Sequence, residues 1–195
     1  MYLLVSLAER MNIMKLIIKS LSPPLIDDYL FFFDNMIFAE HPDWSKCYCY
    51  SYHFAGAKED WTKERNRLAV IELIMKNKMK GYLAYDGKKP VGWCNANDQM
   101  NYASLNIDEM SESAVCSIVC FVINPDYRRK GIAKSLLEKI IEDYTLKAYD
   151  MIEAYPAKNS HSCERNYHGH ISMYEKYDFQ VEKKFDEHYI VRKKL

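Results

Sequence analysis

Arg128-Arg129-Lys130-Gly131-Ile132-Ala133 is the stretch of this chain whose residue types could act on a phosphate. Basic residues lead into a glycine, and apolar residues then fall at Ile132, Leu136, Leu137, Ile140, Ile141 and Tyr144, along one face of a helix. The first turn of such a helix presents unpaired N–H groups at the positive end of its dipole, which attracts anions. Gly131 and Ala133 leave room for a ligand to approach the backbone, and the basic side chains add charge-assisted hydrogen bonds. Upstream, Val115–Ile123 is an almost unbroken apolar run, as expected of a strand buried on both faces, and Asn124-Pro125-Asp126 ends it. The same unit also reads as an ordinary strand–loop–helix crossover with solvated basic residues, and residue types alone leave both readings open. Two familiar phosphate motifs are excluded. A P-loop needs Gly-Lys-Ser/Thr where Gly131 is followed by Ile-Ala, and a dinucleotide fingerprint needs three glycines where this loop has one.

The loop matches Arg/Gln-x-x-Gly-x-Gly/Ala. Its setting is an apolar strand ending Ile123-Asn124-Pro125, then Tyr127, then a helix opening Gly-Ile-Ala-Lys-Ser-Leu-Leu. The whole resembles the central motif of the GNAT N-acetyltransferase family. YLAYDGKKPVGWCNAND at 82–98 resembles the family's second and third strands, and NYHGHISMYEKYDF at 166–179 its last motif, Tyr-Glu-Lys-x-Gly-Phe. Asp178 stands at that glycine, a mild departure because Asp tolerates a left-handed turn. The resemblance covers residues 15–195, with 1–14 as a loose extension. It implies a mixed α/β GNAT fold: a mostly antiparallel sheet of six or seven strands flanked by helices, splayed between parallel strands four and five. It also implies acetyl-CoA as co-substrate, a primary amine of a small molecule or peptide as acceptor, and no metal.

By position the resemblance assigns the cofactor pyrophosphate to Arg128, Arg129, Lys130, Gly131, Ile132 and Ala133, with Lys134 beside them. It assigns the pantetheine and thioester contacts to the strand end Phe121, Val122 and Ile123. Tyr174 falls where many members carry the general acid; a phenol, with a pKa near 10, is protonated at neutral pH and can donate to a departing thiolate. Some members place a glutamate six residues before Ile123. Here that residue is Ser117, which cannot serve; other members use a water chain or a pocket carboxylate, to which Glu109, Glu112, His41 or His53 could contribute. The competing reading is a non-catalytic CoA-binding sensor or interaction module that kept the loop.

Bulk properties fit this reading. At 195 residues the chain suits one domain with a proper core, and 27 residues of each charge sign give no broad footprint for nucleic acid or membrane. No apolar run reaches the length of a membrane span. The start, MYLLVSLAERMNIMKL, lacks the basic leader and cleavage site of a signal peptide, and Met11 and Met14 are alternative starts. Cysteines at 47, 49, 94, 116, 120 and 163 lack zinc-site spacing and read as reduced thiols of a cytoplasmic protein. Cys47 with Cys49, and His161, Cys163, His168 and His170, could in principle ligate metal, and bland surface or packed residues are the expectation for both. The family often dimerises, but no segment here specifies an interface.

The positioning elements follow in chain order. A first strand is expected at 15–21 and a helix from Ser22-Pro23-Pro24 to about Phe38. An extended aromatic segment is expected within 39–57, walling an acceptor pocket or packing on the core. A second helix runs from Asp60 to about Lys78 with Leu68, Ile71, Ile74 and Met75 inward. A hairpin turns at Asp86-Gly87, and after the central strand and helix come a strand at 151–155, a helix at 171–177 and a closing hairpin.

Overall fold

The computed structural model describes residues 16–38, 41–105, 113–158 and 166–195. The extension expected at 1–14 lies outside these, as do Glu109, Glu112, His161 and Cys163. Strands β1 (Leu16–Ser20), β2 (Tyr82–Asp86), β3 (Lys89–Asp98), β4 (Val115–Ile123), β5 (Met151–Ala154), β6 (Gln180–Lys184) and β7 (Tyr189–Lys194) form one sheet in the order β1-β2-β3-β4-β5-β7-β6. Every neighbouring pair is antiparallel except β4–β5, which is parallel. The mixed, mostly antiparallel sheet expected from the resemblance is therefore present.

Helix α3 (Ile132–Leu146) and the short α4 (Ile171–Glu175) cover one face. Ile132, Leu136, Leu137 and Ile140 of α3, all buried, meet Ala84, Cys94 and Ile118 of the sheet. The other face carries α1 (Ile26–Phe31), continued as a π turn at Phe32–Met36, and α2 (Lys63–Met75). Tyr29, Phe33, Tyr48, Val70 and Ile74 close there over Leu83, Trp93 and Val119. Tyr29 meets Trp93 edge-on at a centroid separation of 5.0 Å and donates its hydroxyl to the Tyr48 carbonyl at 2.5 Å.

Two expectations are corrected. Within 41–57 the chain is not extended: it makes 3₁₀ turns at Pro42–Lys46 and Ser51–His53, with Tyr48 (φ 45°) and Cys49 (φ 52°) left-handed between them. A strand would send these neighbours to opposite faces, yet both are buried, because Tyr29 holds the Tyr48 carbonyl and Asn95 Nδ2 the Cys49 carbonyl at 3.1 Å. Helix α2 buries Asn66, Val70 and Ile74, while Leu68 and Met75 are 66% and 62% exposed. Its apolar residues occupy two sides, and Asn66, bonded to the Lys46 carbonyl at 2.8 Å, fixes which side turns inward.

The sheet is deliberately interrupted at its centre. β4 and β5 pair only from Val115↔Met151 to Ile118↔Ala154. In the β3–β4 ladder Asn95 faces Cys120 and Ala96 faces Ile118, so Val119 is the extra residue of a bulge, which bends and twists its strand. On the other strand Tyr155 is followed by Pro156, which has no N–H to offer a ladder. The strands part there.

Gly92 of β3 lets the start of α3 seat on this sheet. A Cβ there would lie 2.8 Å from Ile132 Cγ2 and 3.0 Å from Ile123 Cδ1. Gly92→Val should therefore destabilise the protein by about 1–3 kcal/mol, read as a lower urea midpoint at unchanged slope.

Candidate active site

The loop between β4 and α3 is built by backbone conformation as much as by charge. Asn124 Oδ1 accepts from the Asp126 amide at 2.9 Å, turning the chain at Pro125, and Arg129 (φ 61°) and Gly131 (φ 81°) are both left-handed. A Cβ at Gly131 would meet nothing within 4 Å, so the loop faces open space. The first backbone bond of α3 runs from Ser135 N to Gly131 O at 3.0 Å, so the N–H groups of Ile132, Ala133 and Lys134 precede the helical ladder. Arg129, Lys130 and Lys134 are exposed, and Lys130 Nζ rests 4.8 Å over the Tyr127 ring. The Ile132 side chain is buried, leaving only its backbone to face a ligand.

Beside the loop, the end of β4 faces the gap. The Phe121 N–H donates to the Tyr167 carbonyl at 2.5 Å, so the chain's own backbone takes the position that β5 vacates. Tyr174 is fully buried and donates its hydroxyl to the His168 carbonyl at 2.6 Å. Burial pushes that hydroxyl well above the usual tyrosine range and keeps it protonated. Gly169 (φ 81°) joins these parts: a Cβ there would stand 3.1 Å from the Tyr174 hydroxyl and 2.9 Å from Met173 Cε. The structure thus brings Tyr174 to the turn that covers Phe121.

On the opposite side of β5 lies a cavity of about 990 Å³, lined among others by Tyr52, Glu153, Tyr155, Tyr167, His168 and Arg192. That volume is at the upper end for small-molecule sites. Tyr52 hydroxyl and His168 Nε2 are 3.1 Å apart, and burial lowers the His168 pKa to about 4, with the Val119 carbonyl opposing. Of the aromatic segment expected to wall an acceptor pocket, Tyr52 lines this cavity.

Of the proposed bases, neither His53 nor His41 lines this cavity. His53 is buried against Tyr102, its Nδ1 is 3.0 Å from the Asn101 carbonyl, and burial lowers it to about 4. His41 stacks on Trp44. Glu153, Tyr155 and Arg192 were not singled out from the sequence. An acidic residue inside the short apolar run Met-Ile-Glu-Ala-Tyr was the available signal, since a carboxylate is not placed in a buried strand without a partner. Among the described residues no group of three or more His, Cys, Asp or Glu side chains could hold a metal ion, and no helix is long and apolar enough to cross a membrane.

A parted parallel pair thus lies beside a left-handed loop and a helix start, with a cavity behind it. A model of the Acetyltransferase (GNAT) family matches residues 41–179. The chain belongs to that family. Solved structures of similar fold include a GNAT acetyltransferase of Streptococcus pneumoniae, 17% identical, with a TM-score of 0.56 over 93% of this chain and 99% of that one. The PaiA N-acetyltransferase of Thermoplasma acidophilum, solved with coenzyme A, is 16% identical, with a TM-score of 0.55 over 93% and 100%. The ribosomal-protein-S18-alanine N-acetyltransferase of Escherichia coli is 12% identical, with a TM-score of 0.52 over 92% and 93%. No curated protein sequence matches significantly.

The two buried histidines predict an acid response. Both are neutral in the fold with pKa values of about 4, below the unfolded value near 6.5, so the unfolded chain binds more protons between these limits and stability falls as pH drops through that window. Each should remove about 2 kcal/mol between pH 7 and 5. Urea unfolding at both pH values should show His168→Gln losing less stability on acidification than wild type.

Proposed function

We propose that this protein transfers an acetyl group from acetyl-CoA to a primary amine of a small molecule or peptide. The observation that carries the reading is the parting of β4 and β5 directly beside the Arg128–Ala133 loop and the first turn of α3. The residues fit the ligand. Backbone N–H groups of 131–134, with Arg128, Arg129, Lys130 and Lys134 around them, would hold the pyrophosphate. The ends of Phe121, Val122 and Ile123 would meet the pantetheine arm and thioester. Acetyl-CoA supplies an activated acyl carbon and a thiol leaving group.

Phe121 N–H would polarise the thioester oxygen as charge builds on it, once the Tyr167 carbonyl yields that bond. Tyr174, protonated and beside this turn, would protonate the leaving sulfur. The cavity behind β5 would receive the amine. The described cysteines are free thiols, in keeping with a reducing compartment, and we place the chain in the cytoplasm.

Two observations favour the second reading, a CoA-binding module without turnover: Phe121 N–H is already satisfied internally, and Ser117 stands where a carboxylate would. Thermal denaturation and turnover separate the readings. Acetyl-CoA and CoA at about 100 times Kd should each stabilise the protein by about 2.7 kcal/mol, while ATP should not. Tyr174→Phe should keep that shift and lose turnover on the order of 10²-fold; an unchanged rate removes Tyr174 as the acid, and no shift with either CoA species removes the cofactor.

A further inference from the structure

Glu153 is 2% exposed and forms part of the cavity wall. A carboxylate buried so completely is costly unless its oxygens are paired. Oε2 accepts from Arg192 Nε at 2.6 Å, and Oε1 accepts from the Tyr155 hydroxyl at 2.5 Å and from Gln99 Nε2 at 3.5 Å. Arg192 stands directly opposite Glu153 in the β5–β7 register and also reaches Glu182, 3.6 Å away. A cross-strand ion pair of this kind would tie two strands together by itself. It does not require the rest of the arrangement. The Tyr155 oxygen is also 3.1 Å from Ser117 Oγ, and Ser117 faces Glu153 across the β4–β5 pair. Tyr155 itself sits one residue past the last β4–β5 pair, where the strands part, and lines the cavity.

We propose, on the basis of the acetyl-transfer reading above, that Glu153 is the proton acceptor for the amine and that the Tyr155 hydroxyl passes the proton to it. The carboxylate that Ser117 lacks is supplied from the neighbouring strand at the same level of the sheet. As the neutral amine attacks the thioester carbon, the C–N bond forms and the C–S bond breaks, with its electron pair leaving on sulfur. The nitrogen, acidified by bond formation, releases one proton through cavity water to the Tyr155 oxygen while the Tyr155 proton moves to Glu153 Oε1. The sulfur takes a proton from Tyr174, and solvent then returns the Glu153 proton to the tyrosinate. Arg192 keeps Glu182 as a partner while Glu153 is protonated. His168, its ring centroid 6.3 Å from that of Tyr155, lines the same cavity, and Lys158, Lys183, Asp186, Glu187 and His188 complete its charged lining.

The test is thiol release from acetyl-CoA by the full chain, with tyramine, spermidine and the peptide Ala-Tyr-Ala as acceptors, measured beside the acetyl-CoA thermal shift. Glu153→Gln should keep the thermal shift and lower kcat on the order of 10²-fold with KM for the acceptor little changed. Glu153→Asp should recover part of the rate. Arg192→Gln, which breaks the ion pair and leaves the carboxylate and Tyr155 in place, should lose much less kcat than Glu153→Gln, whereas a purely structural ion pair would lose the same from either side. An unchanged kcat in Glu153→Gln, or an equal loss in Arg192→Gln, overturns the proposal. Should Glu153→Gln fail to fold, Tyr155→Phe leaves the ion pair in place; a rate at least roughly tenfold lower with the thermal shift intact supports the relay, and an unchanged rate overturns it. A wild-type chain that shifts with acetyl-CoA but releases no thiol with any of these acceptors also overturns it, whereas a chain that does not shift defeats the cofactor reading instead.

Discussion

The rest of the site depends on a ladder of hydrogen bonds that stops. Parallel strands gain stability from every residue pair they add, yet β4 and β5 separate after Ile118↔Ala154. The extra residue at Val119 bends one strand and the missing N–H of Pro156 ends the other. Everything around the gap answers the accounting rule that buried backbone groups find partners. The turn before α4 lends Phe121 a carbonyl, Tyr174 holds that turn from the α3 side, and Gly169 provides the backbone freedom that lets them meet. Remove the interruption and the loop at Arg128–Ala133 is a charged crossover beside an ordinary sheet.

The two faces solve different problems. On the α3 face the sheet packs on aliphatic side chains of α3 together with Tyr144, Tyr174 and Phe179. On the other face the strands carry polar residues that are fully buried, Asn95, Asn97 and Ser117. Tyrosines supply both the packing and the partners there. Tyr102 donates to Asn95 Oδ1 at 2.7 Å, Tyr29 to the Tyr48 carbonyl, and Tyr155 to Glu153. An aromatic body with a hydroxyl at its tip fills a core and satisfies an acceptor at once. This explains the chain's 16 tyrosines better than an aromatic-lined pocket does, since most of those named here point into the protein.

Elements fixed by local chemistry were legible in the sequence. The Asp86-Gly87 hairpin, the apolar β4, the one-sided α3 and the left-handed Asp178 (φ 64°) all stand where residue types place them. What escaped was set by distant partners. The alternation of Cys47 to Phe54 reads as a strand, but carbonyls captured by Tyr29 and Asn95 fold it into turns. Helix α2 has apolar residues on two sides, and its orientation rests on Asn66 reaching the Lys46 carbonyl. The candidate site divided likewise: the loop and Tyr174 were visible as motifs, while Arg192 reaches Glu153 and its neighbour Tyr155 only through the β5–β7 register, which no local pattern encodes.

The carbonyl that caps Phe121 also bears on ligand discrimination. A ligand oxygen arriving at that N–H would compete with an internal acceptor rather than with water, exchanging one hydrogen bond for another at little net gain. Under the proposed acetyl-transfer reading, the acyl end would then add little to affinity, and acylated and free forms of the carrier would be held about equally well. Product accumulation would then act as a brake, and flux would follow the ratio of the two carrier forms rather than the amount of either.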